Sequence, residues 1–318
     1  MSRFPHESNM LGWFRRLLPP PDKPLSGANA NLREKEMKFV RFGPKGSEKP
    51  GLIDNNGDIR DISGMIDDLG GDTVSLESLE RFRHFDPASL PHADSSARIG
   101  SCVSHVPNFY CIGLNYAKHA AESGMPEPKE PIIFSKASTA LSGPFDNVII
   151  PKDSHKSDWE VELGVVIGTH VEHVSEKDAL KTVAGYCVIN DVSEREFQIE
   201  RGGQWIKGKS APTFGPVGPW LVTADAVPDP QKLHLTMSLN GEVQQDSNTS
   251  DMIFSVAEII SYMSRFMVLR PGDIIATGTP EGVGMGQNPQ RFLRHGDDMT
   301  LEVEGLGRQE QRAVAYPG

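Results

Sequence analysis

The stretch DWEVELGVVIG, Asp158–Gly168, places three alternating acids directly before an apolar run. The acids are Asp158, Glu160 and Glu162, and the apolar run covers residues 163–167. Because successive side chains of a strand point to opposite faces, the three carboxylates are predicted to lie on one face. Like charges held this close repel, and their burial costs several kcal/mol unless a cation pairs with them.

A second apolar run, YCVIN at 186–190, ends at Asp191. The two runs predict neighbouring strands whose acids, Glu160, Glu162 and Asp191, converge. An all-oxygen cluster of this kind suits Mg²⁺, Mn²⁺ or Ca²⁺, and three carboxylates leave coordination positions for water and substrate. The alternative is an edge strand whose acids face water, and the spacing alone does not separate the two.

Short stretches elsewhere carry further chemistry. GLNYAKHAAESGM at 113–125 predicts a short helix with His119 and Glu122 on one face, an arrangement that suits a general base or an ordinary exposed pair. In the loop 202–220, Lys207 and Lys209 flank Gly208, either as anion-binding groups or as solvated lysines. The glycine-rich loop 276–286 can present N–H groups to an anion or can simply turn the chain, and it lacks the P-loop spacing.

Many short strand-like runs and few helices predict a β-rich α+β fold. Ser255 with Glu258 and Ser175 with Asp178 resemble capping boxes at helix starts. The predicted organisation has three parts: a proline-containing, disordered extension at 1–36, a small N-terminal domain at 37–104, and a larger strand-rich domain at 105–318. Within the extension, the apolar patch at 10–18 is alternatively an amphipathic anchor or a targeting helix.

Composition limits the class of protein. The 318 residues carry a net charge of −11, which argues against nucleic acid or an anionic membrane surface as the main partner. Three scattered cysteines form no CxxC pair, so a reducing compartment is expected and the cytoplasm is predicted. No run approaches 18 apolar residues, so no membrane span is expected.

Taken together and in order, six segments resemble the fumarylacetoacetate hydrolase family. They are GLNYAKHAAE, PIIFSK, DWEVELGVVIG, AGYCVINDVSEREFQ, GKSAPTFGPVGPW and RPGDIIATGTPEGVG, and they cover roughly 105–290. The resemblance implies a β-roll-like catalytic domain, usually dimeric, with Mg²⁺ or Mn²⁺ in its cleft. The N-terminal block is similar to the small domain of bacterial-type members.

The resemblance also implies roles for individual residues. Its metal ligands fall on Glu160, Glu162 and Asp191, its catalytic residues on His119, Glu122 and Lys209, and its substrate-contacting positions on Gln198, Thr279 and Arg195. Asp158 receives no role and is expected to be a solvated flanking acid. Leu114 stands where many members have arginine, which favours a hydroxylated, less charged substrate tail.

The resemblance implies an enzyme that hydrolyses a carbon–carbon bond in 2,4-dioxo acids, giving pyruvate and a second acid. The segment around 205–223 is most similar to members acting on 2,4-dioxo-3-deoxy sugar acids, such as rhamnonate or fuconate derivatives. The same scaffold is shared by isomerases or decarboxylases of 2-hydroxyhepta-2,4-diene-1,7-dioate type, by oxaloacetate decarboxylases and by ureidoglycolate lyases. An alternative from a different functional class is a non-catalytic protein that binds a metal or an oxo acid. The expected partners are a small 2-oxo acid as substrate and a second copy of the chain in a homodimer.

Overall fold

The computed structural model describes residues 36–318. The predicted extension at 1–36, with its apolar patch, therefore lies outside the described residues except for Glu36. No helix within the described range is long and apolar enough to cross a membrane.

The described chain is rich in strands, which confirms the β-rich α+β prediction. Its strands are β1 (Lys38–Phe42), β2 (Lys49–Ile53), β3 (Ile59–Asp61), β4 (Phe109–Gly113), β5 (Ile132–Lys136), β6 (Leu141–Ser142), β7 (Val148–Ile149), β8 (Ser157–Asp158), β9 (Val161–Ile167), β10 (Val183–Asn190), β11 (Ser193–Glu194), β12 (Gly215–Thr223), β13 (His234–Leu239), β14 (Glu242–Asn248), β15 (Ile274–Ala276), β16 (Asp298–Val303) and β17 (Gly307–Val314). The α-helices are α1 (Leu76–Glu80), α2 (Ala117–Glu122), α3 (Glu176–Ala179), α4 (Ile206–Lys209) and α5 (Val256–Met263).

The strands form three sheets. The largest runs β3-β2-β1-β12-β10-β9-β15-β4-β5, with β6 paired to β12, and the second runs β14-β13-β16-β17-β7. β8 and β11 form a two-stranded ribbon. Because β1 pairs with β12, the first three strands extend the large sheet, and the boundary near residue 104 stays a prediction.

Strand β9 lies inside the large sheet, between β10 and β15, with apolar packing on both faces. Val161, Leu163 and Val165 belong to the core cluster that includes the second sheet, whereas Val166 packs in a cluster with Phe39 of β1. Burial on both faces explains why the strand continues as an apolar run rather than alternating. Glu162, at the start of this strand, is therefore fixed by a rigid, buried backbone.

The two proposed capping boxes have different outcomes. At α5 the Ser255 hydroxyl accepts the Glu258 N–H at 3.2 Å, and the Glu258 carboxylate accepts the Ser255 N–H at 2.7 Å, so this box is confirmed. At α3 the Ser175 hydroxyl instead donates to the Asp178 carboxylate and makes no capping bond to the backbone, so that box is wrong. Aspartate is one methylene shorter than the glutamate or glutamine of a capping box, whose side chain reaches back to the N-cap N–H.

This difference predicts unequal effects of two matched substitutions. Ser255→Ala should lower the free energy of unfolding by about 1 kcal/mol, because a helix N–H loses its acceptor. Ser175→Ala is the control and should change it by only a few tenths of a kcal/mol, as is usual at exposed sites without a cap. Urea unfolding followed by circular dichroism measures both, and equal losses would contradict the assignment.

Candidate metal and catalytic site

The register of β9 and β10 brings three acids together. Val161 pairs with Asn190, and the Asp191 N–H donates to the Glu160 carbonyl at 2.9 Å. One carboxylate oxygen from each of Glu160, Glu162 and Asp191 lies within 4.8 Å of the others, and all three residues are buried. The prediction that acids of neighbouring strands converge is confirmed, and the alternative of acids facing water on an edge strand is wrong.

Two of the acids meet cationic side chains. Lys209 Nζ donates to Glu160 Oε2 at 2.7 Å and to Asp191 Oδ2 at 2.8 Å. Arg195 Nη2 lies 2.8 Å from Glu160 Oε1. Burial by itself would raise the pKa of Glu160, but the charges of Lys209 and Arg195 outweigh it and lower that pKa well below its ordinary value. Glu160 is therefore an ionised, acceptor-only group.

A third cation, Lys136, has no role in the predictions drawn from the sequence. Its ammonium forms an ion pair with Asp191 Oδ1 and donates to the carbonyls of Val192 at 3.0 Å and Lys209 at 2.8 Å. The side chain is fully buried at the end of β5. Nothing in the local sequence signals this burial, because a lysine is rarely fully buried unless it is paired and the partner Asp191 is remote in the chain.

Glu162 differs from its two neighbours because no cationic side chain among the described residues pairs with it. Burial, then the charges of Asp191 and Glu160, raise the pKa of Glu162 well above its ordinary value. Its Oε2 accepts the Gly278 N–H at 2.8 Å.

A divalent cation fits this arrangement. Asp158 and the three clustered acids face three cations (Lys136, Arg195 and Lys209), and Glu162 is the one carboxyl group of the four without a cationic partner. The donors are all carboxylate oxygens, which Mg²⁺, Mn²⁺ and Ca²⁺ prefer. A cation among them would offset the repulsion that raises the pKa of Glu162.

The expectation that Asp158 is solvated is wrong. The residue has no exposed surface, and its carboxylate accepts the N–H groups of Gly284 at 2.7 Å and Met285 at 3.0 Å. Arg195 Nε also donates to it at 2.8 Å. The alternation of the sequence placed Asp158 beside the other acids, but only the fold brings the loop and the arginine that bury it.

The predicted pair His119 and Glu122 lies on α2. His119 Nδ1 is 3.4 Å from Glu122 Oε2, and the imidazole is almost fully buried, so the ordinary exposed pair is excluded. Glu122 also accepts the Gly282 N–H, at 3.0 Å to Oε1 and 3.2 Å to Oε2. A carboxylate held by a backbone donor can fix one imidazole orientation, as a general base requires.

The remaining predicted residues lie around the same cluster. Gln198 Oε1 accepts from Arg195 Nη1 at 3.1 Å. The Thr279 hydroxyl donates to the Val161 carbonyl at 2.9 Å and accepts from Gln245 at 2.8 Å. Lys207 is exposed and donates to the Arg201 carbonyl, away from the acids. The structure thus separates Lys209 from Lys207, while the catalytic and substrate-binding roles stay predictions.

The glycine-rich loop 276–286 presents its N–H groups to anions, and these anions are the protein's own carboxylates. Gly278 donates to Glu162, Gly282 to Glu122, and Gly284 to Asp158. The loop therefore binds three of the protein's own side chains, while binding of a substrate anion by its N–H groups stays a prediction. The loop connects the acid cluster to the His119–Glu122 pair.

Comparison with known proteins agrees with this geometry. Residues 108–314 match the model described as the fumarylacetoacetate (FAA) hydrolase C-terminal family, which is more than half of the chain. The chain belongs to the fumarylacetoacetate hydrolase family. The matched range contains the acid cluster, the three cations and the glycine-rich loop, so membership indicates an enzyme and supports a metal site at the acids.

Relatives of this fumarylacetoacetate hydrolase family protein include both hydrolases and isomerases. A Burkholderia orbicola protein with a provisional name as a hydrolase is 57% identical over 277 residues, covering 87% of this chain and 98% of that protein. The fumarylacetoacetate hydrolase of Exiguobacterium antarcticum is 34% identical with a TM-score of 0.77, covering 88% of this chain and all of that chain. The 2-hydroxyhepta-2,4-diene-1,7-dioate isomerase of Mycobacterium marinum is 30% identical with a TM-score of 0.68, covering 89% of this chain and 100% of that chain.

Proposed function

We propose that this protein is a divalent-metal-dependent hydrolase that cleaves a carbon–carbon bond in 2,4-dioxo acids. The observation that carries the proposal is the buried cluster Glu160, Glu162 and Asp191, which contains one carboxyl group without a cationic partner and is joined by a loop to a histidine–glutamate pair. The metal proposed is Mg²⁺ or Mn²⁺, held by these three carboxylates. Bound there, the ion would supply Lewis-acid stabilisation to an enolate leaving group.

The protein's own groups supply the proton transfers. His119, oriented by Glu122, takes a proton from a water molecule as that water attacks the C4 carbonyl carbon. Lys209, held between Glu160 and Asp191, places a positive charge where the oxyanion develops. The C3–C4 bond then breaks, C4 leaves as a carboxylic acid, and protonation at C3 gives pyruvate. Water is consumed, and no oxidant or reductant is needed.

The proposed substrate class rests on residues at positions that the family resemblance assigns to substrate contact. Arg195 and Gln198 are proposed to contact the substrate's polar end, together with Thr279. Leu114 offers no charge to a second carboxylate, which favours a hydroxylated tail such as that of a 2,4-dioxo-3-deoxy sugar acid. The related isomerase from Mycobacterium marinum supports a second candidate, isomerisation of a 2-hydroxy-dienedioate on the same site.

A substrate panel with Mg²⁺, analysed by mass spectrometry, tests the proposal. Hydrolysis of an acylpyruvate or a 2,4-dioxo-3-deoxy sugar acid should yield pyruvate and a second acid, whereas isomerisation leaves the mass unchanged and decarboxylation releases CO₂. Chelator-treated protein that keeps full hydrolytic activity would rule out the metal-dependent mechanism. Thermal stabilisation by Mg²⁺ with oxalate, without turnover of any substrate, would favour a binding protein.

We propose further that the protein works as a cytoplasmic homodimer without nucleic acid or membrane partners. The half-buried apolar side chains of β5, at one end of the large sheet, support a partner along that edge. Light scattering after size exclusion measures the oligomeric state directly.

A further inference from the structure

We infer that Asp158 is a positioning residue that acts through the histidine–glutamate pair, by holding the backbone on which Glu122 rests. The inference deepens the proposed function and rests on it for the role of the pair. Asp158 contacts neither His119 nor Glu122 directly in any described hydrogen bond or ion pair. Its effect passes through residues 282–286, here called the glycine seat.

The glycine seat is fastened to the chain segment that carries the metal ligands. The Asp158 carboxylate accepts the N–H groups of Gly284 and Met285 at 2.7 and 3.0 Å. The Trp159 indole N–H donates to the Gly282 carbonyl at 3.1 Å. Two consecutive side chains of DWEVE thus fix both ends of the seat, and all three bonds involve buried or partly buried groups.

The seat is shaped to receive Glu122. The Gly282 N–H donates to both Glu122 oxygens, at 3.0 and 3.2 Å. A Cβ at Gly286 would lie 2.1 Å from the Glu122 carboxyl carbon, so any side chain there would displace the carboxylate. Gly282 has φ +97°, and a Cβ on it would meet the Gln244 carbonyl oxygen at 1.9 Å. Glycine is therefore required at both positions for the seat and Glu122 to fit together.

Asp158 also connects the seat to the acid cluster. Arg195 donates to Asp158 through Nε and pairs with Glu160 through Nη2, both at 2.8 Å. The Asp158 carboxylate therefore accepts hydrogen bonds both from backbone N–H groups of the loop and from the Arg195 guanidinium. Replacing it with an amide keeps the shape but offers only one acceptor oxygen, and its NH₂ group then opposes an N–H donor.

Amide hydrogen exchange of the full-length protein tests the inference without any substrate. In Glu122→Ala, only the Gly282 amide loses its acceptor, so Gly284 and Met285 should keep wild-type protection. In Asp158→Asn, the Gly282 amide should also exchange faster, by about 10-fold or more, since the seat opens locally. Wild-type exchange at Gly282 in Asp158→Asn would overturn the inference.

Kinetics with the best substrate of the panel provide the second test. Asp158→Asn and Gly286→Ala should each lower kcat by about 10- to 100-fold, because the base is misplaced. In Gly286→Ala, whose new side chain meets Glu122 and not the acid cluster, Mn²⁺ affinity by electron paramagnetic resonance should stay near wild type. In a His119→Ala background, neither substitution should lower kcat further. An additional loss there would show that Asp158 acts other than through the pair. If the wild-type protein turns over no substrate of the panel, the proposed function is refuted. The hydrogen-exchange result then still decides whether Asp158 holds the glycine seat.

Discussion

Glu162→Gln should abolish metal-dependent turnover and leave the metal-free protein at least as stable as wild type. The activity should fall by about 10³-fold, the factor that ~4 kcal/mol of lost charge stabilisation represents. The stability should not fall, because the amide oxygen can still accept the Gly278 N–H and an amide carries no charge that would need a cationic partner at this buried position. Turnover with Mg²⁺ and thermal unfolding with and without Mg²⁺ measure the two effects.

The neighbouring ligand provides the contrast. Glu160→Gln removes the carboxylate that pairs with both Lys209 and Arg195 in the protein interior. The metal-free protein should therefore lose about 3–5 kcal/mol in the free energy of unfolding. Glu302→Gln, an exposed acid on β16, is the control and should match wild type in both assays. If Glu162→Gln keeps the stabilisation by Mg²⁺, the metal does not bind at this cluster.

His119→Ala should lower kcat by about 10²–10⁴-fold, the usual contribution of a positioned general base. Mn²⁺ binding should survive, because the described hydrogen bonds and ion pairs of His119 reach only Glu122 and its own helix, not the three ligand carboxylates. Steady-state kinetics and Mn²⁺ titration by electron paramagnetic resonance separate these outcomes. His170→Ala, an exposed histidine, is the matched control.

Two results would count against this assignment. Loss of Mn²⁺ binding together with activity would make His119 part of the metal site rather than a base. Wild-type kcat in His119→Ala would move the base to another residue. In the proposed mechanism Glu122→Gln should lie between wild type and His119→Ala, because the amide can still contact Gly282 but orients the imidazole less strongly.

The sequence predicted much of the site because its signals are local. Alternating acids before an apolar run identified Glu160 and Glu162, and the end of the next apolar run identified Asp191. Helical spacing placed His119 and Glu122 on one face, and the family resemblance suggested a catalytic role for the pair. The strands β14, β16 and β17 were not predicted, because β14 and β17 are largely polar and their pairing depends on distant partners.

The burial of two charged side chains, Lys136 and Asp158, could not be predicted from the sequence. Lys136 ends a strand and Asp158 precedes one, positions where a charged side chain ordinarily reaches solvent. Their partners, Asp191 for the lysine and the glycine seat with Arg195 for the aspartate, are far away in the chain. Nothing in the local pattern distinguishes a charge that faces water from one that meets a remote partner.

The sequence by itself indicated the sheet-rich class and the family, and through the family the acids of the cluster, because side-chain alternation and the order of motifs are properties of the chain. The tertiary structure decided which charges are compensated. The packing of β5, of α4 and of the segment after β11 brought Lys136, Lys209 and Arg195 to the acids while leaving Glu162 without a cationic partner, and the loop after β15 buried Asp158. Electrostatic energy depends on distance and burial in space, and these are fixed only when remote segments pack together.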